Sequence, residues 1–209
     1  MINFKKYNAL LWDFDGVLMD SMPVRDEGFV HVLQPYPPEQ VAALLAYHRV
    51  NGGLSRYVKF RYFFEKIRGE QITEGKVQAM AAEFSTVMKR LLLNEKLLIH
   101  DSLDFVKRQY GQVPMHIVSG SDGVELNMIC KSLKLDGYFV SIHGSPTPKN
   151  QLVAEVLATR GYEPAKTVLI GDSINDYQAA TVNGIDFIGY NNSEFDHDDY
   201  HYVKSFASF

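Results

Sequence analysis

Ala9-Leu10-Leu11-Trp12-Asp13-Phe14-Asp15-Gly16-Val17 decides how this chain is read. Four consecutive apolar residues are the pattern of a strand buried on both faces, and the run ends on two carboxylates two residues apart. Carboxylates are costly to desolvate unless a cation meets them, so acids at the end of a buried strand require a reason. The glycine that follows lets the backbone turn sharply and approach a ligand closely. The arrangement points to metal-assisted chemistry at the carboxyl end of a strand.

Composition sets the bounds. With 209 residues the chain can bury a sizeable core, as one domain with an insertion or as two small domains. Its 46% hydrophobic and 22% charged content is ordinary for a soluble globular protein. A net charge of -4 offers no basic surface, so no nucleic-acid partner is expected. The lone Cys130 cannot form an internal disulfide, which fits a reducing compartment and a cytoplasmic location. Lys5 and Lys6 precede an apolar run that stops at Asp13, too short for a signal peptide. No stretch approaches membrane-spanning length, so no membrane partner is expected either.

Strand-like runs recur at 9–12, 115–118, 138–142, 167–170 and 185–188, and helical patterns at 102–110, 123–133, 149–160 and 174–182. Such alternation indicates an α/β fold, a parallel sheet covered by helices on both faces. From about residue 21 to 94 the pattern is helical throughout. Pro37-Pro38 opens one helix, which Asn51-Gly52-Gly53 ends. Phe60, Phe63, Phe64 and Ile67 stripe the next, and Val77, Met80, Ala81, Phe84, Val87, Met88 and Leu91 a longer one over 73–93. These stripes read as the core of an all-helical insertion. The expected division is a catalytic core of 1–17 and 95–209 with a helical cap of 18–94.

Ligands bind outside the carboxyl ends of strands in such sheets, and four of the runs lead into polar residues. Asp13 and Asp15 follow the first. Ser119-Gly120-Ser121 follows the second as a small-residue turn able to offer hydroxyl and N–H donors to an anion. A loop with Pro146 and Pro148 delivers Lys149 to a helix start, and Gly171-Asp172-Ser173-Ile174-Asn175-Asp176 follows the fourth run. A helix starting near Ser173 would put Asp172 and Asp176 on adjoining turns of one side. Singly, each has a plainer use: Asp172 or Ser173 as a helix cap, Lys149 as a solvated lysine, Ser119 as a turn residue. Parallel topology brings them to one rim, and four independent coincidences are less economical than one site. Acids held together need a cation, since repulsion would otherwise keep one protonated. The all-oxygen donor set favours Mg²⁺ over Zn²⁺. With Lys149 and the Ser119 donors added, the pattern is that of phosphoryl transfer.

DFDGVLMDS at 13–21, Ser119, Lys149 and GDSINDYQAA at 171–180 resemble, in order and spacing, the four signature motifs of the haloacid dehalogenase superfamily. The chain is similar to the branch with a helical cap inserted after the first motif, which includes phosphoglycolate phosphatase and β-phosphoglucomutase. The resemblance implies a Rossmann-like core, Mg²⁺ dependence and an aspartyl-phosphate intermediate. It implies Asp13 as nucleophile and metal ligand, and Asp15 as general acid then base with its carbonyl on the metal. Ser119, with Gly120, and Lys149 would hold the transferring phosphoryl group. Asp172 would ligate Mg²⁺, and Asp176 would support it directly or through water.

In such a family the cap loop selects the leaving group. Asn51-Gly52-Gly53-Leu54-Ser55-Arg56 is Gly-rich and basic, with Arg56 and Lys59 one turn apart and Arg49 just before. Two uses stand level: Arg56 and Lys59 as substrate contacts for a second anionic group or a sugar, or solvated cations beside a helix end. His31, His48, His100, His116 and His143 read as structural, and Asp196-His197-Asp198-Asp199 as a solvated turn before an edge strand at 202–203. The expected activity is Mg²⁺-dependent hydrolysis of a small phosphorylated metabolite such as a sugar phosphate, by a monomer or homodimer. A β-phosphoglucomutase-like phosphomutase or a pyrophosphatase shares the machinery. Asp15 disfavours a dehalogenase, which needs no acid. A signalling receiver domain is disfavoured by the helical insertion and the late GDSxxD segment.

Overall fold

The computed structural model describes residues 2–209. Six parallel strands form one sheet in the order β3-β2-β1-β4-β5-β6. They are β1 (Ala9–Trp12), β2 (Met115–Asp122), β3 (Ser141–Ser145), β4 (Thr167–Gly171), β5 (Asp186–Tyr190) and β6 (His201–Val203). All four residues of β1 are buried, as the uninterrupted apolar run demands of a central strand covered on both faces. Helices α5 (His100–Gln109), α6 (Gly123–Ser132), α7 (Lys149–Arg160) and α8 (Ile174–Val182) complete the core. The strand order reverses between β1 and β4, the place where sheets of this kind open a crevice. Trp12 pairs with Ile170 there, and Asp13 N–H donates to the Ile170 carbonyl at 2.9 Å, so the first and fourth strands deliver their acids at one level.

Two strand expectations shift. The second run continues past Val118 as strand to Asp122 with a register irregularity, so Ser119-Gly120-Ser121 is an irregular strand end rather than a free turn. The third starts only at Ser141, because Asp136–Tyr138 winds as a short 3₁₀ turn with Tyr138 edge-on to Tyr110.

Between β1 and α5 lies the inserted cap: α1 (Met22–Val32), α2 (Pro38–Val50), α3 (Arg56–Tyr62) and α4 (Glu74–Leu91), with α3 extended by a π-helical turn, Phe63–Arg68. Phe29, Phe60, Phe63, Phe64, Phe84 and Met88 are buried as its apolar heart, as the aromatic and methionine stripes require. The two chain crossings between core and cap run side by side: Asp20 N–H donates to Leu97 O at 2.7 Å and Ile99 N–H to Leu18 O at 3.0 Å. Among the described residues no helix is long and apolar enough to cross a membrane.

Candidate active site

Carboxylate oxygens of Asp13, Asp172 and Asp176 lie within 4.8 Å of one another. Asp13 follows β1, Asp172 follows β4, and Asp176 sits in the first turn of α8. The helix begins at Ile174, so Asp172 precedes it instead of sharing its side with Asp176, and the approach comes from the β4 turn. Gly16 allows that approach: it has φ +77°, and a Cβ there would overlap the Asp172 carboxylate. Asp176 Oδ2 accepts from Ser173 N–H at 3.0 Å and from Ser173 Oγ at 2.6 Å.

Lys149, the first residue of α7, is buried with its ammonium against Asp176 Oδ1 and 2.9 Å from Asp13 Oδ1. That one cation does not balance the acids. Burial and then the charge of Asp176 push the Asp13 carboxyl up to about 7 against the pull of Lys149. Burial and then Asp13 raise Asp172 well above the usual carboxylate range. Burial opposes the Lys149 ammonium, but Asp13 and Asp176 outweigh it and raise its pKa. A further positive charge is what this arrangement lacks. Among the described residues buried Asp13 Oδ1 has only the Lys149 ammonium beside it, out of good hydrogen-bond alignment, and with oxygen-only donors the three acids fit a hard divalent ion such as Mg²⁺.

Ser119 is buried at the end of β2, where its Oγ accepts from Ser121 N–H at 3.2 Å. Gly120 lies beneath the cap, with the Gly53 carbonyl in the space a Cβ would fill. Gly53 in turn presses on the core: a Cβ on it would stand 2.8 Å from Ser173 Oγ and 3.4 Å from Lys149 Nζ. The Asn51-Gly52-Gly53 turn does more than end α2; its backbone closes over the acid cluster.

Asp15 points away from the other acids, toward the cap. Its Oδ1 accepts from Ser21 Oγ and, at 2.7 Å, from Arg25 Nε, and its Oδ2 accepts from Ser121 Oγ. Burial alone would raise its pKa, but Arg25 and the two hydroxyls bring it down to about 2. Arg25 also reaches Glu125 Oε1 at 3.2 Å. Glu125 is in the first turn of α6 and accepts two bonds from Arg56, at 2.7 and 2.8 Å. Arg56 also donates to Ser85 Oγ and lies over the Phe84 ring.

Arg56 and Lys59 are therefore neither solvated nor a free basic loop, because α3 turns both under the cap where each is at least 96% enclosed at 4% and 2% exposure. Lys59 Nζ contacts His48 Nδ1 at 2.8 Å and Gly52 O at 3.1 Å, and among the described residues no carboxylate pairs with it. Burial and then Arg25 lower its pKa to about 7. His48 is a buried neutral ring whose pKa burial, and then Lys59, lower to about 2. Only Arg49 stays at the surface, paired with Asp26. Ser21, Arg25 and Glu125 are the members of this network that sequence patterning passes over, while Ser121, expected as a donor to an anion, donates to Asp15. Asn191 and Asn192, after β5, are missed too: their amides hold Gly16 O at 2.8 Å and Asp172 O at 2.7 Å, bracing both acid-bearing turns.

A parallel α/β core with a helical cap, acids from two strand ends and a lysine between them defines a cap-bearing, metal-dependent phosphoryl-transfer hydrolase. The chain belongs to the haloacid dehalogenase-like hydrolase family, whose model matches residues 10–190. It is 24% identical over 195 residues to fructose-1-phosphate phosphatase YqaB of Escherichia coli, covering 88% of this chain and 97% of that one. It is 26% identical over 179 residues to pyrophosphatase PpaX of Anoxybacillus flavithermus, covering 82% and 78%. Among solved structures, β-phosphoglucomutase from Clostridium difficile superposes with TM-score 0.75 at 14% identity, over 97% of this chain and 93% of that one. A predicted phosphoglycolate phosphatase from Haemophilus somnus gives TM-score 0.73 at 17% identity, over 97% and 96%. The structural likenesses concern the fold.

Proposed function

We propose that this chain hydrolyses the phosphate monoester of a small metabolite, a sugar phosphate or a compound like it, with Asp13 as nucleophile. The observation that carries the reading is Asp13 itself, grouped with Asp172 and Asp176 and flanked by the Lys149 ammonium. Asp13, Asp172 and the carbonyl of Asp15 would hold Mg²⁺, with Asp176 in support, since its oxygens already accept from Ser173 and Lys149. Bound there, the ion neutralises charge on the transferring group.

In this reading Asp13 attacks phosphorus, forming a new P–O bond as the ester P–O bond breaks. Lys149, Ser119 and Gly120 hold the phosphoryl oxygens. Asp15 protonates the departing oxygen and then takes the proton of the water that cleaves the aspartyl-phosphate. Acid–base help of this kind supplies roughly 10²–10⁴-fold, so charge neutralisation and positioning carry most of the rate. The base half suits the ionised state in which Arg25 holds Asp15. The acid half requires Ser21 and Arg25, at the start of α1, to draw back as substrate enters. The fructose-1-phosphate phosphatase likeness supports a sugar phosphate, and the PpaX likeness keeps pyrophosphate on the panel. The test is phosphate release from an aryl phosphate, expected to need Mg²⁺ and to vanish with chelator and in Asp13→Asn. Turnover that survives both ends the reading.

A further inference from the structure

We infer that the leaving group this site accepts carries oxygen acceptors but no second phosphate, and that Glu125 determines this by cancelling the cationic charge under the cap. The inference rests on the phosphatase reading and adds the class of its substrate.

Two spaces adjoin the phosphoryl position, meeting at Leu54 and Gly120. The inner one, between Asp15 and the cap, has a volume of about 20 Å³, room for one water, so a substrate must lift the cap slightly to use it. Asp15 lines it, and a proton delivered by Asp15 reaches a leaving oxygen on this side. Arg25, Arg56 and Lys59 also line it, which gives the look of an anion site. Charge pairing removes that look. Arg25 is bonded to Asp15 and Glu125, and Arg56 doubly to Glu125. Two arginines face two carboxylates, His48 is neutral, and Lys59 is the one cation there without an acid among the described residues.

A phosphate dianion brought into this space would meet Lys59 as its one cation without an acid; recruiting Arg56 as well would break both of its bonds to Glu125 and leave that fully buried carboxylate with Arg25 alone. Lys59 alone does not balance it. The outer space, about 410 Å³, is no better suited: its lining includes Asn150, Asn175, Gln178 and Thr147, and its one cation is Lys149, which already faces Asp13 and Asp176.

What the inner space does offer is hydrogen-bond donation without a partner. Arg25 is 95% enclosed at 5% exposure, and its Nη2 finds no acceptor among the described residues. Lys59 has used two of its three N–H groups, on His48 and Gly52. Those donors match the hydroxyls of a polyol or sugar, or at most one carboxylate.

The test uses wild-type protein and aryl phosphate hydrolysis as the readout. Matched monophosphates and bisphosphates of one hexose and one pentose, and inorganic pyrophosphate, are added as competitors, so the comparison does not need any of them to be turned over. The expected result is that each monophosphate competes at least about tenfold more tightly than its bisphosphate, with pyrophosphate the weakest. Equal competition, or a tighter bisphosphate or pyrophosphate, overturns the inference while leaving the hydrolase reading standing. Absence of aryl phosphate hydrolysis sinks that reading and this one with it. In Glu125→Gln, which frees Arg56, the preference is expected to shrink or reverse through tighter bisphosphate binding. Glu125→Gln combined with Arg56→Gln removes both charges and strands neither, and is expected to keep the monophosphate preference. A Glu125→Gln variant that folds with an unchanged ratio, or a double variant that gains bisphosphate binding, removes Glu125 from the role.

Discussion

The two ends of the cleft handle charge in opposite ways. At the phosphoryl end Asp13, Asp172 and Asp176 crowd around one lysine, and the surplus shows as raised carboxyl pKa values. At the cap end Asp15 and Glu125 are matched by Arg25 and Arg56, and Asp15 is held down to about 2. The first end is incomplete without a cation. The second is closed on itself and ties cap to core, because Glu125 belongs to α6 and Arg56 to α3. One half is built to receive charge, the other to refuse it.

The sharpest break of that contrast is Asp13→Asn. It should lower kcat by about 10⁴-fold or more, as loss of a member of a catalytic unit does, while leaving the cap network intact. Single-turnover assays showing a phosphoenzyme in wild type and none in the variant would check it. Next comes Arg56→Ala. Removing one partner of a buried ion pair costs about 3–5 kcal/mol, and Glu125 has no exposure with which to compensate. Arg56→Met with Glu125→Met should recover most of that loss, so a double-mutant cycle by urea unfolding reads the coupling directly. Additive losses would mean the pair does not act as a unit.

The phosphoryl end was legible in the sequence because strand ends announce it. An apolar run that stops at Asp13, or at Gly171-Asp172, leaves the acid nowhere to go but the rim. Lys149 and Ser119 are placed by the same logic. The cap end was not legible, since helices do not advertise which polar face they bury. Arg25 and Glu125 occupy positions where a helix usually carries solvated charge, and Glu125 sits in a first turn that favours acids for their own sake. Only the ion pairs that Arg25 of α1 and Arg56 of α3 make with Glu125 of α6 show those positions turned inward. Ser21 and Arg25 do share an i, i+4 spacing aimed at Asp15, which was the one available signal.

The contrast also predicts opposite pH responses. Asp13 and Asp172 have folded pKa values above their unfolded ones, so the metal-free fold keeps protons that the unfolded chain releases. Their contribution to stability falls as pH rises through roughly 4 to 7. Lys59 is lowered to about 7, so its burden is full below that pH and lifts as pH rises toward the ordinary lysine value. Asp13 and Asp172 therefore pull the metal-free Tm down over the lower window, against the rise that His48, lowered to about 2, contributes up to about 6.5, and Lys59 lifts it over the upper one. Mg²⁺ should raise Tm more at pH 7 than at pH 5, because binding at these carboxylates displaces protons. Asp172→Asn should flatten the lower limb and Lys59→Met the upper. An unchanged profile in both variants would mean that the two ends do not titrate as described.

The smallest effect separates a hydrogen bond from a backbone conformation at the seam. Asn191 has φ 56°, in the left-handed region, and its side chain donates to Gly16 O at 2.8 Å. Asn191→Gly keeps that backbone accessible and deletes only the bond, for an expected loss of about 0.5–1.5 kcal/mol. Asn191→Ala deletes the bond and adds the left-handed penalty of roughly 1–2 kcal/mol. Gly16 adjoins Asp15 and packs on Asp172, so both variants should also weaken Mg²⁺ activation, the alanine more than the glycine. If Mg²⁺ titrations of activity show them equal to wild type, the Asn191 brace holds the turn without shaping the metal site, and the acids are positioned by β1 and β4 alone.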